Sequence, residues 1–155
     1  MKDFFGIAPQ EIKKVVEGLQ QAVADTYALY FMTLNGHWNM ECKSFISIHE
    51  MLETQYEEHA KTGDALAERI RAMGYKVPTS LKIFAEKSTL RSFSEEAGWE
   101  EIIQKLVEAN ESVFLSLRKL SKQAEKNGDD GLVDLLGGII RQNETFAWKL
   151  RSHLN

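Results

Sequence analysis

The sequence predicts an all-α fold in which four long helices form one bundle. The 155 residues include only 10 Gly and 2 Pro, and Ala, Leu, Glu, Lys and Gln, which favour helices, dominate between them. Apolar residues recur at helical spacing in four stretches. A chain of this length can bury a core without disulfides or a structural metal. We therefore expect a single domain over residues 1–155.

Two helices are predicted in the N-terminal half. An apolar stripe runs from about Pro9 to Trp38 and places His37 on the same face, and Pro9 suits the first turn of a helix. A second apolar stripe begins near Ser44 and continues until Gly74, which is a typical stop signal. The short connection between them predicts an antiparallel pair.

The second half of the chain begins with a crossover and ends with two further helices. Residues 74–92 are the least periodic stretch, although Pro78-Thr79-Ser80 could start a short helix there. Ser92-Phe93-Ser94-Glu95 has the form of a capping box and predicts the start of the third long helix, which ends near Gly128. A final apolar stripe predicts the fourth helix. One long crossover between two helical pairs is typical of the ferritin-like bundle.

Composition excludes several classes of function. The net charge of -4 comes from interspersed acids and bases, so no domain-wide positive field attracts nucleic acid or an anionic membrane. No apolar run is long enough to span a bilayer, and the first residues lack the pattern of a secretory signal. Cys42 is the only cysteine, which fits a reducing compartment and a structural role for this thiol. We expect a cytoplasmic protein that does not associate with membranes.

Five candidate metal ligands lie on the first two predicted helices. His37 ends the first helix, and the second carries His49, Glu53, Asp64 and Glu68. At roughly 100° per residue these last four fall on one side of the helix, beside the apolar stripe. At roughly 1.5 Å per residue, however, His49 and Glu68 are about 28 Å apart, and Glu53 and Asp64 about 16 Å. One chain cannot complete the site by itself.

A second copy of the chain can complete it. If two of these helices pack antiparallel about a two-fold axis, His49 and Glu53 of one chain face Asp64 and Glu68 of the other, and His37 joins the His49 end. This imidazole and carboxylate set suits ferrous iron, with zinc, manganese and cobalt as competitors. Di-iron bundles that close their site internally use Glu-x-x-His motifs, and none occurs in this sequence.

The segments that carry these ligands resemble the ferroxidase signature of the Dps family of mini-ferritins. They are Asn35-Gly36-His37-Trp38-Asn39, then Phe45, His49-Glu50-Met51-Leu52 and Asp64-Ala65-Leu66-Ala67-Glu68-Arg69-Ile70. The resemblance covers nearly the whole chain. It implies that the two half-sites pair across a dimer interface and that the ligands named above are catalytic. Members usually have Asp where this chain has Glu53.

The resemblance also implies a function. Fe(II) binds at the subunit boundary, hydrogen peroxide serves as the preferred oxidant, and ferric mineral collects inside a hollow shell of twelve subunits built from two-fold dimers. Iron, as Fe2+ and Fe3+, is then the only metal expected, without haem or nucleotide. Such a cage stores iron and protects against oxidative stress.

Several other residues have two possible roles each. Trp38 follows a proposed ligand and either traps radicals, as the resemblance implies, or packs at an interface. Asp130 and Asp134 have the spacing of the acids that line ion pores in the family, whereas negative charge at the start of a helix also favours the macrodipole. Helix-start electrostatics explain Asp129 without a further role.

Structural interpretations of the charged residues stay open at this stage. Asp64 and Glu68 could support Lys61 and Arg69 on a solvated face, or the whole set could be a polar dimer seam without catalysis. His59 and His153 lie away from the candidate ligands, and we expect them to be surface or contact residues.

DNA compaction is the main alternative function, because many proteins of the resembled family bind DNA through mobile basic tails. Such tails act by neutralising phosphates. Lys2 is the only basic residue before the first predicted helix, and the chain stops soon after the last. Nucleic-acid binding through tails is therefore disfavoured.

Overall fold

The computed structural model describes residues 6–154, which are all-α. The four long helices are α1 (Pro9–Asn39), α2 (Phe45–Ala72), α4 (Trp99–Lys126) and α5 (Asp130–Arg151), and the short α3 (Leu81–Lys87) lies in the crossover. The predicted bundle with one long connection is confirmed. The segment that contains Lys2 lies outside the described residues. No helix in residues 6–154 combines the length and apolar character needed to cross a membrane.

Two close approaches fix the direction of the helices. A Cβ at Gly36, near the end of α1, would lie 3.6 Å from Leu52 Cδ1 of α2 and 3.3 Å from Leu106 Cδ1 of α4. Gly18, near the start of α1, lies against Leu120 near the end of α4. Helix α1 therefore runs antiparallel to α4, and α2 runs parallel to α4. A parallel pair needs a connection that travels the length of the bundle, which explains the long crossover.

The predicted apolar stripes form the core. Each fully buried aliphatic side chain contributes about 1.5–3 kcal/mol relative to an exposed one. The aliphatic side chains with essentially no exposure include Leu19, Leu29, Ile48, Leu52, Leu66, Ile70, Ile103, Leu106, Leu117, Leu132 and Leu136. The core thus receives side chains from all four long helices.

Glycines end two of the long helices as the sequence predicted. Gly74 follows α2 with φ +85° and Gly128 follows α4 with φ +70°. A left-handed backbone of this kind strains any residue with a Cβ, whereas glycine adopts it freely. The chain can therefore leave the helix direction at both positions.

The crossover is attached to α1 through a buried carboxylate. Asp25 Oδ1 accepts hydrogen bonds from Ser88 Oγ at 2.9 Å and from the Thr89 backbone N–H at 2.7 Å. Gln21 Nε2 donates to the other carboxylate oxygen of Asp25 at 3.0 Å. The short helix α3 begins as predicted, with Ser80 Oγ accepting from the Ile83 N–H at 3.2 Å. Asp25 therefore determines the path of the chain between α3 and α4.

The predicted capping box at Ser92 is wrong. Helix α4 begins at Trp99 with Gly98 as its N-cap and without a side-chain cap. Residues 92–95 are irregular, and the Ala97 N–H closes a turn on the Ser94 carbonyl at 3.2 Å. A helix from Ser92 would carry Gly98 in its interior at a cost of about 1 kcal/mol, while Asp25 already fixes the chain just upstream.

The predicted surface position of His59 is also wrong. Its side chain is 0% exposed, and its ring contacts Phe146 of α5 edge-on at a centroid distance of 5.4 Å. The cause is the bundle itself, because the side of α2 opposite the candidate ligands faces α5. His153 lies beyond the end of α5 and is half-buried.

Asp129 joins the start of α5 to α2. Its Oδ1 accepts from the Leu132 backbone N–H at 3.0 Å, which makes it the N-cap. The same carboxylate forms an ion pair with Arg69 of α2, and both side chains are largely buried. The helix-start role predicted for Asp129 is confirmed.

Candidate metal centre

The two imidazoles predicted as ligands are in contact. The rings of His37 and His49 stack with centroids 3.7 Å apart and an interplanar angle of 17°. His37 Nδ1 donates to the His49 carbonyl and His49 Nδ1 donates to the His37 carbonyl, each at 3.0 Å. Because a carbonyl oxygen only accepts, each Nδ1 carries a proton, which leaves Nε2 as the nitrogen of each ring that can bind a metal. Metal-binding histidines are commonly oriented by such carbonyls.

Local sequence brings these two residues together. Residues 40–44 connect α1 to α2, and Met40 anchors this turn in the core. His37 and His49 therefore face each other across the connection. Phe45 stacks on the His49 ring at 4.8 Å, and Tyr56 meets the His37 ring edge-on at 5.2 Å. These aromatic contacts restrict the orientation of both imidazoles.

Tyr56, an aromatic residue within the second apolar stripe, is a neighbour of the site that was not among the predicted ligands. Its hydroxyl donates to Glu53 Oε1 over a long 3.4 Å. Partial burial and the Glu53 carboxylate raise the pKa of Tyr56, so the phenol stays protonated as a donor. Its position three residues after Glu53 and seven after His49 puts it on the same helix face, which is the signal that could have identified it.

The carboxylates lie progressively farther from the imidazoles. Helix α2 is continuous over 28 residues, so the spacing of roughly 16 Å from Glu53 to Asp64 and 28 Å from His49 to Glu68 holds. All three carboxylate side chains are exposed. Within residues 6–154 no three His, Cys, Asp or Glu side chains lie close enough together to hold an ion. The chain brings the two histidines together and leaves Asp64 and Glu68 at a distance.

Asp64 also affects the neighbouring helix. Burial, followed by the negative charge of Asp64, raises the pKa of Tyr27 in α1. The Tyr27 ring lies against Gly63, where a Cβ would come within 2.9 Å of the ring, and stacks on Phe84 of α3 at 5.5 Å. Because Gly63 has no side chain, α2 has room there for the Tyr27 ring beside the acidic end of the candidate site.

The cations near the acidic end have carboxylate partners outside the candidate set. Lys61 Nζ pairs with Glu58 Oε1 at 2.6 Å, one turn earlier on α2. Arg69 pairs with Asp129, the N-cap of α5. The sequence alone also allowed Asp64 and Glu68 as the partners of these two cations.

The remaining predicted residues are accessible within the described chain. Trp38 is 58% exposed and meets Phe31, which is equally exposed, edge-on at 6.4 Å. Asp130 and Asp134 are exposed in the first turns of α5, and Asp134 lines a shallow cleft of about 350 Å³ between α2 and α5. The radical-trap and pore roles stay predictions. Cys42 is half-buried and packs against the core, which agrees with a structural role.

Comparison with known proteins assigns the chain to a family. The family model described as a ferritin-like domain matches residues 16–155. The chain is 33% identical over 143 residues to "DNA protection during starvation protein 2" of Bacillus anthracis, a match that covers 92% of this chain and 98% of the relative. It is 25% identical over 142 residues to "General stress protein 20U" of Bacillus subtilis, with 92% and 98% covered.

Solved structures share the fold over almost the entire length. Dps from Staphylococcus aureus superposes with a TM-score of 0.88 at 27% identity and covers 92% of this chain and 96% of its own. The Dps protein from Vibrio cholerae O1 has a TM-score of 0.92 at 24% identity, with 99% and 96% covered. The bundle and the family model together define a ferritin-like protein. The chain belongs to the Dps family of mini-ferritins, as its motifs had indicated.

Proposed function

We propose that the chain is a ferroxidase subunit of an iron-storage cage and that its metal centres form between subunits. The main supporting observation is the stacked pair of His37 and His49, whose Nδ1–H groups donate to carbonyls, so that Nε2 is the nitrogen left for a metal on each ring. Membership in a ferritin-like family supports iron storage in general terms. The local imidazole geometry and the distant carboxylates support the shared centre.

The proposed centre combines two different halves. One subunit contributes His37, His49 and Glu53, and the antiparallel α2 of a second subunit contributes Asp64 and Glu68. An isologous contact creates two such centres for each dimer. Trp38 directly follows His37 and contacts Phe31, and both exposed rings offer apolar contact area to the second copy. Trp38 can thus pack at the interface and intercept stray oxidising equivalents.

The proposed reaction oxidises iron with peroxide. Two ferrous ions, one hydrogen peroxide and two waters give two units of ferric oxyhydroxide and four protons. The O–O bond breaks as each ferrous ion gives up one electron, so no hydroxyl radical is released. The chain supplies orientation and charge, because the carboxylates offset the positive charge of iron and the fixed imidazoles set its approach. The Tyr56 hydroxyl, 3.4 Å from Glu53 Oε1, favours an orientation of the longer Glu53 arm towards the imidazoles.

Complementation between two inactive variants tests the shared centre. The first variant carries His37→Ala and His49→Ala, and the second carries Asp64→Asn and Glu68→Gln. Each is expected to lose peroxide-dependent Fe(II) oxidation. After unfolding and joint refolding of equal amounts, half of the dimers are mixed, and each mixed dimer regains one intact centre. Activity should therefore return to about a quarter of the normal value.

The outcomes of this experiment are distinct. A mixture that stays inactive although native mass shows mixed assemblies contradicts centres formed between subunits. Full activity in either variant alone contradicts the assigned ligands and favours a polar seam. A His153→Ala variant, altered at a histidine outside the set, serves as the control. Native mass of the wild-type protein should correspond to twelve copies of the 17.7 kDa chain.

DNA binding is the competing function, since the Bacillus anthracis relative is named for DNA protection. We propose that this chain acts through iron chemistry without holding DNA, because its net charge is -4 and phosphate neutralisation needs clustered cations. A gel shift at low salt with duplex DNA should show no retarded band. Retention that weakens steeply with added salt would revive the compaction hypothesis.

A further inference from the structure

A second polar cluster lies inside the bundle, away from the candidate metal centre. We call it the polar layer, and it consists of Thr26 of α1, Gln55 and His59 of α2, Asn110 of α4 and Asn143 of α5. Each side chain is at most 1% exposed. Every long helix contributes at least one member, so the layer lies where all four helices meet.

The packing contacts place Asn110 at the height of the two α2 members. Leu52 of α2 and Leu106 of α4 both touch Gly36 of α1, so these two leucines lie at one height. Helices α2 and α4 run parallel, so the residues one turn beyond these two leucines are also level with each other. Asn110, four residues after Leu106, therefore lies between the two layer residues of α2.

Asn143 lies at the height of His59. The neighbouring Gln142 accepts a hydrogen bond from Thr62 Oγ1 at 3.0 Å and donates one to Glu58 Oε2 at 2.9 Å. Those two residues flank His59 on α2. The Phe146 ring, one turn beyond Asn143, contacts the His59 ring itself.

Thr26 joins the layer from α1. The adjacent Tyr27 places its ring against Gly63, one turn beyond His59 on α2. The contacts with all four helices thus place the five side chains within about two helical turns, or roughly 10 Å, of bundle height.

The layer presents polar atoms that no group of the described chain satisfies. Asn110 Nδ2 donates to the Leu106 carbonyl at 2.8 Å, and Asn143 Nδ2 donates to the Ile139 carbonyl at 2.9 Å. Both amide oxygens are left without a partner. The same holds for the hydroxyl of Thr26, both amide atoms of Gln55 and both ring nitrogens of His59, which makes seven atoms in total.

Seven unpaired polar atoms within about two helical turns of the bundle call for a ligand. Buried polar groups are normally hydrogen-bonded, because desolvation without a partner costs stability. Here the side chains include donors, at Gln55, His59 and Thr26, and acceptors, at the two asparagine oxygens. A suitable occupant must therefore both donate and accept hydrogen bonds.

Charge restricts the class of occupant. The layer has no carboxylate, and burial lowers the pKa of His59 to about 3, so the ring is neutral. A divalent cation there would lack a compensating charge, and an anion would lack a cationic partner. We propose that the polar layer is a buried binding site for an uncharged hydrogen-bonding ligand and that a small cluster of ordered water molecules occupies it and links the four helices.

A surface cleft borders the layer. It has a volume of about 270 Å³, lies between α2 and α5, and is lined in part by Gln55 and Phe146. Gln55 thus belongs to both the cleft and the layer, and Phe146, which also lines the cleft, contacts the His59 ring. Buried waters of this kind typically make about three hydrogen bonds to otherwise unsatisfied groups.

Crystallography at about 1.5 Å tests the proposal on crystals exposed to ferrous iron and to zinc. We expect water-sized density within about 3.2 Å of Asn110 Oδ1, Asn143 Oδ1 and a His59 nitrogen, without anomalous signal at either metal edge. A dry layer overturns the proposal, as does direct pairing among the five side chains. An anomalous peak there would mean that a metal ion occupies the layer instead of water, which also overturns the proposal.

Oxygen-17 relaxation dispersion provides a second measurement in solution, because it counts long-lived internal waters. Gln55→Met keeps the side-chain length but removes both polar atoms, and it should lower the count by at least one water. Gln104→Met, at an exposed position of α4, is the matched control and should leave the count unchanged. An unchanged count in folded Gln55→Met overturns the proposal. If that variant does not fold, the wild-type protein alone decides, and the absence of long-lived internal water in it overturns the proposal.

Discussion

The two polar faces of α2 differ in charge and in exposure. The outer face carries His49, Glu53, Asp64 and Glu68, of which the three carboxylates are exposed. The inner face carries Gln55 and His59, which are buried and neutral. Ions are stable where water or a second chain can compensate them, whereas the interior accepts polar groups only in neutral or paired form. Changes on the outer face should therefore affect chemistry, and changes on the inner face should affect stability.

The largest expected effect is on the outer face. Asp64→Asn combined with Glu68→Gln should slow peroxide-dependent Fe(II) oxidation by at least about tenfold, since even indirect supports of a metal ligand are worth that much. Unfolding free energy should change by no more than about 0.5 kcal/mol, because both side chains are exposed. Stopped-flow absorbance and urea unfolding measure the two quantities. Glu57→Gln, at another exposed position of α2, should alter neither, and equal rates in all three proteins would contradict the assignment.

The next effect concerns acid and His59. Its pKa is about 3 in the folded chain, below the ordinary 6.5, so protonation favours the unfolded state. The stability contributed by the neutral ring is complete above pH 6.5 and is lost as the pH falls towards 3. Between pH 7 and pH 4 this loss amounts to about 3 kcal/mol.

Urea unfolding at both pH values measures this loss. Wild-type protein should lose about 3 kcal/mol more than His59→Leu, which has nothing to protonate there. His153→Leu, altered at the half-buried histidine beyond α5, should behave as wild type. Equal acid losses in wild type and His59→Leu would show that the buried ring does not titrate as described.

Asp129 shows the condition under which the interior accepts charge. Its carboxylate is buried but caps α5 and pairs with Arg69. Asp129→Ala removes a cap worth about 1 kcal/mol and one partner of a buried ion pair, so we expect a loss of about 2–4 kcal/mol in unfolding free energy. Asp129→Asn keeps the cap acceptor and should lose less. A change below about 0.5 kcal/mol in Asp129→Ala would mean that the pair contributes nothing.

The smallest effect is expected at Gln55 and rests on the proposed water site. If its amide is hydrated within the bundle, Gln55→Met exchanges satisfied hydrogen bonds for apolar contact and should shift unfolding free energy by less than about 1 kcal/mol. If the amide is dry, removing two unsatisfied atoms should stabilise the protein by about 1–3 kcal/mol. Chemical denaturation distinguishes these results, and Gln104→Met corrects for the effect of the substitution itself.

Sequence patterns predicted much of the fold and one part of the candidate site. The apolar stripes, Gly74 and Gly128 correctly indicated the long helices, because helical periodicity and glycine stops act locally. The contact between His37 and His49 follows from a short connection. The capping box at Ser92 predicted the wrong helix start, because hydrogen bonds from Ser88 and Thr89 to Asp25, far away in the sequence, fix the segment just before it. Interactions with residues so far apart in the chain leave no local pattern.

By itself, then, the sequence determined the helices, the family motifs and the line of donor groups along α2. Only the tertiary structure decided which polar residues face inward. His59 and Glu53 are both polar residues of one helix, but α5 covers the first and leaves the second exposed. Burial arises from the packing of separate segments, and it is burial that sets whether a group is neutral, paired or free to bind.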